Sequence, residues 1–500
     1  MGIGTRARTA AAVAALAAIT LAASALFTAQ NAASAPGTAG VGTAPALGHT
    51  GLWLTDAAGR VVVLHGLNEV FKVPPYAPAA SGFSDDDAAF LQRNGFNAVR
   101  VGVIWAAVEP APGAYDDGYL ASIEQTVRTL AAHGIVSLLD FHQDLYNEKF
   151  QGEGAPAWAV QDGGLLDPAL GFPYNYFGNL AEDHAWDQFW RNSPAPDGVG
   201  LQEHYAAAWA HVAHRFADDA SVFGYELINE PWPGTLWEPC ALPLIGCPLN
   251  DGQLTALYQR VTTAIRAADP TKIVWIEPNT LFSTVDTTHV GTVRDANVGW
   301  AFHDYCGTQA EGLGSTLCAS IDGLTVAAAK SYASAHHVPW LLTEFGATND
   351  AANLSELVDL ADKNMLSWLE WAYTGNDKTS ASPDGQALVL DPNQPPTGSN
   401  VLTSKLKLLA EPYPQSVSGT PTSWSFSGGV FTLTYSTARA DGAGGFAAGA
   451  LTDIAAPAVQ YPNGYLVQVT GGTVAAAGSV LQIASSPGAQ AVTVTVRPAP

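Results

Sequence analysis

Eight short runs rich in Val, Ile and Leu recur between residues 61 and 375, and each is followed by a segment with helical spacing. They are VVVLHGLNE (61–69), AVRVGVIW (98–105), IVSLLDFHQD (135–144), VFGYELINE (222–230), IVWIEPN (273–279), VGWAFHDYC (298–306), WLLTEFG (340–346) and WLEWAYTG (368–375). Runs this continuous suit strands buried on both faces rather than half-exposed ones. Helical stretches such as YLASIEQTVRTLAAHG, ending on Gly134, and LTALYQRVTTAIRAAD, stopping before Pro270, lie between them. Eight strands alternating with helices predict an α/β chain folded as a (β/α)8 TIM barrel, assigned to residues 36–409. From 411 onward only five charged residues remain (Glu411, Arg439, Asp441, Asp453, Arg497), and alternating runs such as FTLTYSTA and AVTVTVRP are split by Gly, Pro and Asn turns. Residues 410–500 are therefore expected to form a small β-sandwich, either a structural module or a sugar-binding one.

Polar residues collect at the same end of almost every run: Asn68 and Glu69, Arg100, His142 and Asp144, Asn229 and Glu230, Glu277 and Asn279, His303 and Tyr305, Glu344, Trp371. In a parallel barrel these ends converge on one mouth. Any one of them is explained as a satisfied strand-end polar group, and for Glu277 or Asn68 alone that account is preferred. It does not explain all eight, because buried polar groups cost free energy unless paired.

Glu230 ends the fourth run and Glu344 the seventh. Two carboxylates facing each other across a mouth suit glycoside hydrolysis, where one attacks the anomeric carbon and the other protonates the leaving oxygen. Their environments must differ so that one is ionised and the other holds a proton. Arg100 is expected to face Glu344 and keep it charged, with Tyr305 donating to it. That assigns Glu230 as acid/base and Glu344 as nucleophile. Asn229 offers an amide for a sugar 2-hydroxyl, and Trp371 an apolar floor for the ring. Pro231, Trp232 and Pro233 are expected to fix the loop that leaves Glu230.

The chain carries 45 acidic against 21 basic residues, a net charge of −24. Such a balance repels phosphate backbones, so nucleic acid is not an expected partner. Residues 1–35 have the form of an export signal: Arg6 and Arg8, a charge-free run from Thr9 to Phe27, then a small-residue stretch ending Ala33-Ser34-Ala35. Cleavage is expected between residues 29 and 35, giving a secreted protein; a retained N-terminal anchor is the alternative. No later segment is long and apolar enough to span a bilayer. Four cysteines fit an exported chain, and Cys240–Cys247 with Cys306–Cys318 is the simplest of three connectivities. Neither pair has CxxC spacing, and no HxH or HExxH motif supports a metal hydrolase built on His142, His303 and Asp144. No metal, no cofactor and a monomer are expected.

The Asn229-Glu230-Pro231 and Thr343-Glu344-Phe345-Gly346 strings, with Arg100, His142, His303, Tyr305 and Trp371 on their own runs, resemble glycoside hydrolase family 5 of the four/seven superfamily of TIM-barrel glycosidases. LNEVFKVPPYAP, DFHQDLYNEKFQGEGAPAW and NEPWPGT narrow the resemblance to bacterial endoglycoceramidases, over residues 48–500. The resemblance implies retaining hydrolysis of the β-glucosidic bond between oligosaccharide and ceramide. It also implies sugar contacts from Lys72, Asp144 and Trp190, besides His142, Asn229, His303, Tyr305 and Trp371.

Two apolar segments bear on a lipid substrate independently. Residues 145–221 include GFPYNYFGNL and HAWDQFW, and the loop after Glu230 contains LWEPCALPLIGCPL, with Leu236, Leu242, Leu244 and Ile245. Apolar side chains at a polar mouth form a groove for acyl tails or simply cover the barrel. The resemblance favours ceramide; a β-glucanase or β-glucosidase acting on non-lipid β-glucosides is the rival enzyme.

Overall fold

A computed structural model of the chain describes residues 25–29, 46–242, 245–285, 287–306, 317–375 and 386–500. Eight parallel strands close into a barrel: β1 (His65–Glu69), β2 (Ala98–Val103), β3 (Val136–Phe141), β4 (Val222–Glu226), β5 (Ile273–Ile276), β6 (Val298–Asp304), β7 (Trp340–Phe345) and β8 (Ser367–Glu370). Every residue in them is buried, which explains why the runs lack polar alternation. Trp275 of β5 plugs the barrel between Gly224 and Gly299: a Cβ on either glycine would lie 2.5 and 2.4 Å from its ring. An alanine at either position would therefore displace the indole.

Some of the surrounding helices begin where the sequence supplies acceptors for unpaired N–H groups, although Leu201–Phe216, Pro248–Arg266 and Cys318–His336 have no side-chain cap. Asp116 caps the helix Asp117–Ala132 through the Tyr119 amide at 2.9 Å, and Asp350 caps Ala351–Asn364. Ser84 and Asp87 form a capping box on Asp85–Arg93. The apolar faces of these helices meet the outer faces of the strands in one core that includes Trp209, Tyr258 and Trp300, none of them exposed. Truncating Trp209 to Ala would cost about 3–5 kcal/mol.

The run 61–69 divides between two structures. Val61 and Val62 join a seven-stranded antiparallel sheet, whereas His65–Glu69 enters the barrel. That sheet runs Gly472–Ala476, Val480–Ser485, Leu451–Ala455, Pro414–Val417, Val61–Val62, Trp53–Thr55, Gly48–Thr50. A five-stranded sheet packs on it through a shared core including Val61, Val417, Phe431, Leu433, Ile483 and Val494, making the expected sandwich. The sandwich thus draws three strands from residues 48–62, before the barrel, as well as from the region after 410. The polypeptide crosses between the units at Val63, whose amide donates to the Gln415 carbonyl at 3.1 Å, one residue before Leu64 donates to Ser367 Oγ of β8.

Most of residues 1–35 lies outside the described residues. Ala25–Ala29, inside the expected signal segment, pairs with Tyr465–Thr470 as an edge strand of the five-stranded sheet. Among the described residues no helix is long and apolar enough to cross a membrane.

Candidate active site

The polar strand ends do converge. β2 places the fully buried Arg100 at the centre, where its guanidinium reaches Glu226 at 2.6 Å, Asp140 at 3.0 Å, Asn68 Oδ1 at 3.1 Å and Asn229 Oδ1 at 2.8 Å, and pairs directly with Glu344. The other Glu344 oxygen accepts from Tyr305 Oη at 2.8 Å. Burial, followed by the charges of Glu344 and Glu230, pushes the Tyr305 phenol well above its ordinary range, so it remains a donor. The expected partners of Glu344 are both in place.

β4 ends at Glu226, and the chain stays bonded to its neighbours, the Leu227 N–H donating to the Trp275 carbonyl and the Asn229 N–H to the Phe141 carbonyl, both at 3.0 Å, before Glu230, which has φ +41. A left-handed residue other than glycine needs support from its surroundings. Gln143 Nε2 holds the carbonyls of Asn229 and Glu230 at 2.9 and 3.0 Å, and the Glu277 carboxylate accepts the Glu230 N–H. Trp232 is completely buried, with its indole N–H on Asp183 at 2.8 Å, and anchors the following loop as expected.

The Glu230 carboxylate meets His303 Nδ1 at 2.8 Å; the same nitrogen is 3.5 Å from Glu344, and His303 Nε2 is 3.3 Å from Glu277. Acceptor atoms of Glu230, His303 and Glu344 all lie within 4.8 Å of one another. Burial pulls the His303 imidazole down, but Glu344 and Glu230 outweigh it and raise it. Burial pushes Glu230 up, but His303, Lys72 and Arg100 win and leave it lowered. In the ligand-free protein, the group expected to donate a proton is thus biased toward its ionised form, and His303 toward its charged one.

On the other side of the mouth, Lys72 pairs with Asp144, and its ammonium lies 4.3 Å above the Trp371 ring. Asp144 is raised to about 6: burial dominates, Lys72 opposes it and Glu230 adds to it. His142 stacks on Trp371 with centroids 5.3 Å apart and bonds Asp140 through Nδ1 at 2.7 Å. Burial, then Lys72 and Arg100, holds His142 neutral, and its Nε2 has no hydrogen bond among the described residues. Three donor sets could in principle hold a cation: His142, Asp144 and Glu153; Glu226, Glu277 and His303; and Glu230, His303 and Glu344. Lys72 and Arg100 already supply positive charge to these carboxylates.

Two expectations turn out differently in detail. Asn229 spends one amide hydrogen on the Gln143 carbonyl at 2.9 Å, leaving one of its two donors. Trp190 is 6% exposed; its indole donates to the Trp232 carbonyl at 2.9 Å and its ring stacks on Trp186, which sets it within an aromatic layer. Both disulfides, Cys240–Cys247 and Cys306–Cys318, are formed. Leu236 packs against the core, whereas Leu242 and Ile245 are 50% and 55% exposed; Leu244 lies outside the described residues. Asp140, Glu226 and Gln143 were not anticipated. A period-two signal was present in the sequence, since Asp140, His142 and Asp144, and likewise Glu226 and Glu230, fall at even spacings within their runs.

Residues 56–377 match the family described as Cellulase (glycosyl hydrolase family 5), and residues 412–496 match the Glycoside hydrolase family 5 C-terminal domain. The chain belongs to glycoside hydrolase family 5. Among family 5 relatives it is 33% identical to Endoglycoceramidase I of Rhodococcus hoagii, over 89% of this chain and 84% of that one. Two solved structures of endo-glycoceramidase II from Rhodococcus sp. superpose on it. The ganglioside GM3 complex gives a TM-score of 0.72 at 28% identity, covering 90% of this chain and 99% of that one. The lactosyl-enzyme intermediate gives 0.70 at 29%, covering 90% and 100%.

Proposed function

We propose that the protein is a secreted, retaining endoglycoceramidase, which hydrolyses the β-glucosidic bond between the oligosaccharide and ceramide of glycosphingolipids. The observation that carries the mechanism is the approach of Glu230 and Glu344 oxygens to within 4.8 Å. Retaining glycosidases hold their carboxyl groups roughly 5–5.5 Å apart, whereas inverting ones leave about 6.5–9.5 Å for a water. Glu344, fixed by Arg100 and Tyr305, attacks the anomeric carbon; Glu230 protonates the leaving oxygen and later takes a proton from the water that opens the glycosyl ester. Lys72, Asp144 and the Nε2 of His142 meet sugar hydroxyls, the second Asn229 hydrogen meets the 2-hydroxyl, and Trp371 underlies the ring. His303 and Tyr305 border the reacting centre, and Trp190 shapes the wall behind it. The similarity to proteins solved with GM3 and as a lactosyl-enzyme supports this assignment.

Exposed apolar side chains support a lipid aglycone. Leu165, Leu166, Leu170, Tyr174, Phe177 and Leu180 of the long β3–β4 connection are 45–69% exposed. Phe177 packs edge-on against Trp232 and Trp237 of the loop that carries Leu242 and Ile245. A clustered apolar surface of this kind marks an interaction site. Export of a monomer, with residues 1–35 removed, completes the proposal; the two disulfides favour an oxidising compartment.

Incubation with a ganglioside, glucosylceramide and carboxymethylcellulose tests the activity. Release of intact glycan and ceramide from the ganglioside is expected, and cleavage of the cellulose derivative alone would overturn it. N-terminal sequencing of the secreted protein checks the cut. Replacing Leu242 and Ile245 with Ser should raise KM for the ganglioside, at roughly 25 cal/mol for each Å² of apolar surface that the ceramide no longer covers, while a soluble nitrophenyl lactoside is hydrolysed nearly as before. Parallel loss on both substrates would mean that the loop only covers the barrel.

A further inference from the structure

Glu277 follows β5, and a strand-end polar group needs no more than a satisfied carboxylate. The structure gives it two connections to the acid/base site. One oxygen accepts the backbone N–H of Glu230, the left-handed residue, and the other stands 3.3 Å from His303 Nε2, in ion-pair range though not aligned as a hydrogen bond, while His303 Nδ1 is 2.8 Å from the Glu230 carboxylate. Glu277, His303 and Glu230 therefore form a closed loop: carboxylate to imidazole to carboxylate, then through the Glu230 backbone to the start. Tyr258 Oη, on the helix Pro248–Arg266, donates to the Glu277 carbonyl at 2.6 Å and steadies the residue from behind. Glu277 is 2% exposed, and a pocket lined by Glu230, Glu277, Asn279, Thr280, Ser283 and His303 opens beside it.

We propose that Glu277 is a positioning residue that stores a proton for Glu230 and passes it through the His303 ring, a role that rests on the glycosidase assignment above. In the resting arrangement Glu277 carries the proton and donates to Nε2, while Nδ1–H donates to ionised Glu230. In the acid-ready arrangement the Glu277 proton has moved to Nε2 and the Nδ1 proton to Glu230. Both forms hold two protons over the three groups, so no co-reactant is needed. When the glycosidic C–O bond breaks, the Glu230 proton leaves with the oxygen and the anomeric carbon bonds to Glu344. Hydrolysis of that ester returns a proton from water to Glu230 and restores the count.

The charges around the chain favour the resting form. Burial and Glu226 of β4 push Glu277 well above the carboxylate range; Arg100 of β2 opposes them, and Glu230 and Asp140 of β3 add to the rise. Glu230 is lowered by its contact with His303, against burial. Arrival of a substrate excludes water and brings the leaving oxygen to Glu230, where the shifted proton is used.

Glu277→Gln tests this. The Glu230 N–H fixes the amide orientation, oxygen toward the backbone, so the NH2 donates to His303 Nε2 and leaves the ring proton on Nδ1. Glu230 is then locked against a donor and loses its proton supply. The expected result is a kcat/KM loss on octyl lactoside at least about tenfold greater than on dinitrophenyl lactoside, whose leaving group needs no acid; a general acid contributes about 10²–10⁴-fold. The basic limb of the octyl lactoside pH profile should move to lower pH. Equal losses on both substrates, or an unmoved limb, would overturn the role. Imidazole ¹⁵N NMR, with His303 assigned by its disappearance in His303→Gln, gives a readout without substrate: an Nε2 shift averaged between acceptor and N–H values in the wild type, where the proton exchanges with Glu277, and a purely acceptor shift in Glu277→Gln. Identical His303 nitrogen shifts in the two proteins would overturn the relay even if the glycolipid assignment holds. Failure of the wild type on both lactosides would sink the assignment and leave the NMR result standing.

Discussion

Glu344 and Glu230 reach within 4.8 Å of each other, yet they are held in opposite ways. Glu344 accepts its hydrogen bonds from groups that do not change charge near neutral pH, the Arg100 guanidinium and a phenol that burial keeps protonated, with His303 farther off at 3.5 Å. Glu230 has a titratable partner, His303, and sits on a left-handed backbone braced by Gln143 and Glu277. A nucleophile benefits from a fixed counter-charge, while an acid/base must gain and lose a proton each cycle. On the proposed assignment of Glu344 and Glu230, the two environments suit those tasks before any substrate arrives.

The largest expected effect lies on the fixed side. Glu344→Gln should lower turnover by about 10⁴-fold or more, the scale on which loss of a nucleophile is felt, and no choice of leaving group should restore it. Glu230→Gln should lose about 10²–10⁴-fold on the glycolipid but form the glycosyl-enzyme from dinitrophenyl lactoside, with added azide yielding a β-glycosyl azide. An α-product would break the retaining assignment, and rescue of Glu344→Gln by the activated substrate would exchange the two roles.

Tyr305→Phe sharpens the comparison by removing one donor from Glu344 and none from Glu230. A hydrogen bond to a charged group contributes about 1.5–3 kcal/mol, so a rate loss of roughly 10–100-fold is expected on octyl and dinitrophenyl lactosides alike. A loss confined to the octyl substrate would show that Tyr305 serves the acid instead.

The smallest effect is on stability. Glu230 is lowered from 4.5, so its contribution is present above that value and is lost as the pH falls through the folded value. His303 is raised from 6.5, so its contribution is complete below that value and is lost as the pH rises through the folded one. The melting-temperature advantage of the wild type over His303→Gln should therefore be greatest between pH 4.5 and 6.5 and shrink on both sides. A difference that does not vary with pH would mean that the pair does not share a proton in the folded protein.

Much of this site was legible before the fold. Glu230 and Tyr305 stand just past strand ends, Glu344 near the end of β7 and Arg100 inside β2, and their mutual contacts follow once eight parallel strands close. Asp140 and Glu226 were visible too, at even spacings from His142 and Glu230, but they sit within apolar runs where the eye follows the hydrophobic majority. Gln143 and Glu277 were not legible as supports. Their role depends on the left-handed turn at Glu230, which extends past the strand in a run that reads as strand throughout. The exposed apolar side chains at the mouth appeared as sequence strings, but the separation of partly buried Leu236 from exposed Leu242 and Ile245 appeared only in the packed structure.

The sequence by itself determined the barrel and the mouth at which its polar residues, Glu230 and Glu344 among them, collect, because burial writes a short-range period into each strand and a parallel barrel turns every strand end toward one mouth. Tertiary structure alone decided that Val61 and Val62 leave the barrel for the sandwich, that Trp190 packs inside a wall, and that His303 lies between three carboxylates. Those outcomes depend on contacts between segments far apart in the chain. Their distances are set by how strands close and loops pack, and no local pattern records them.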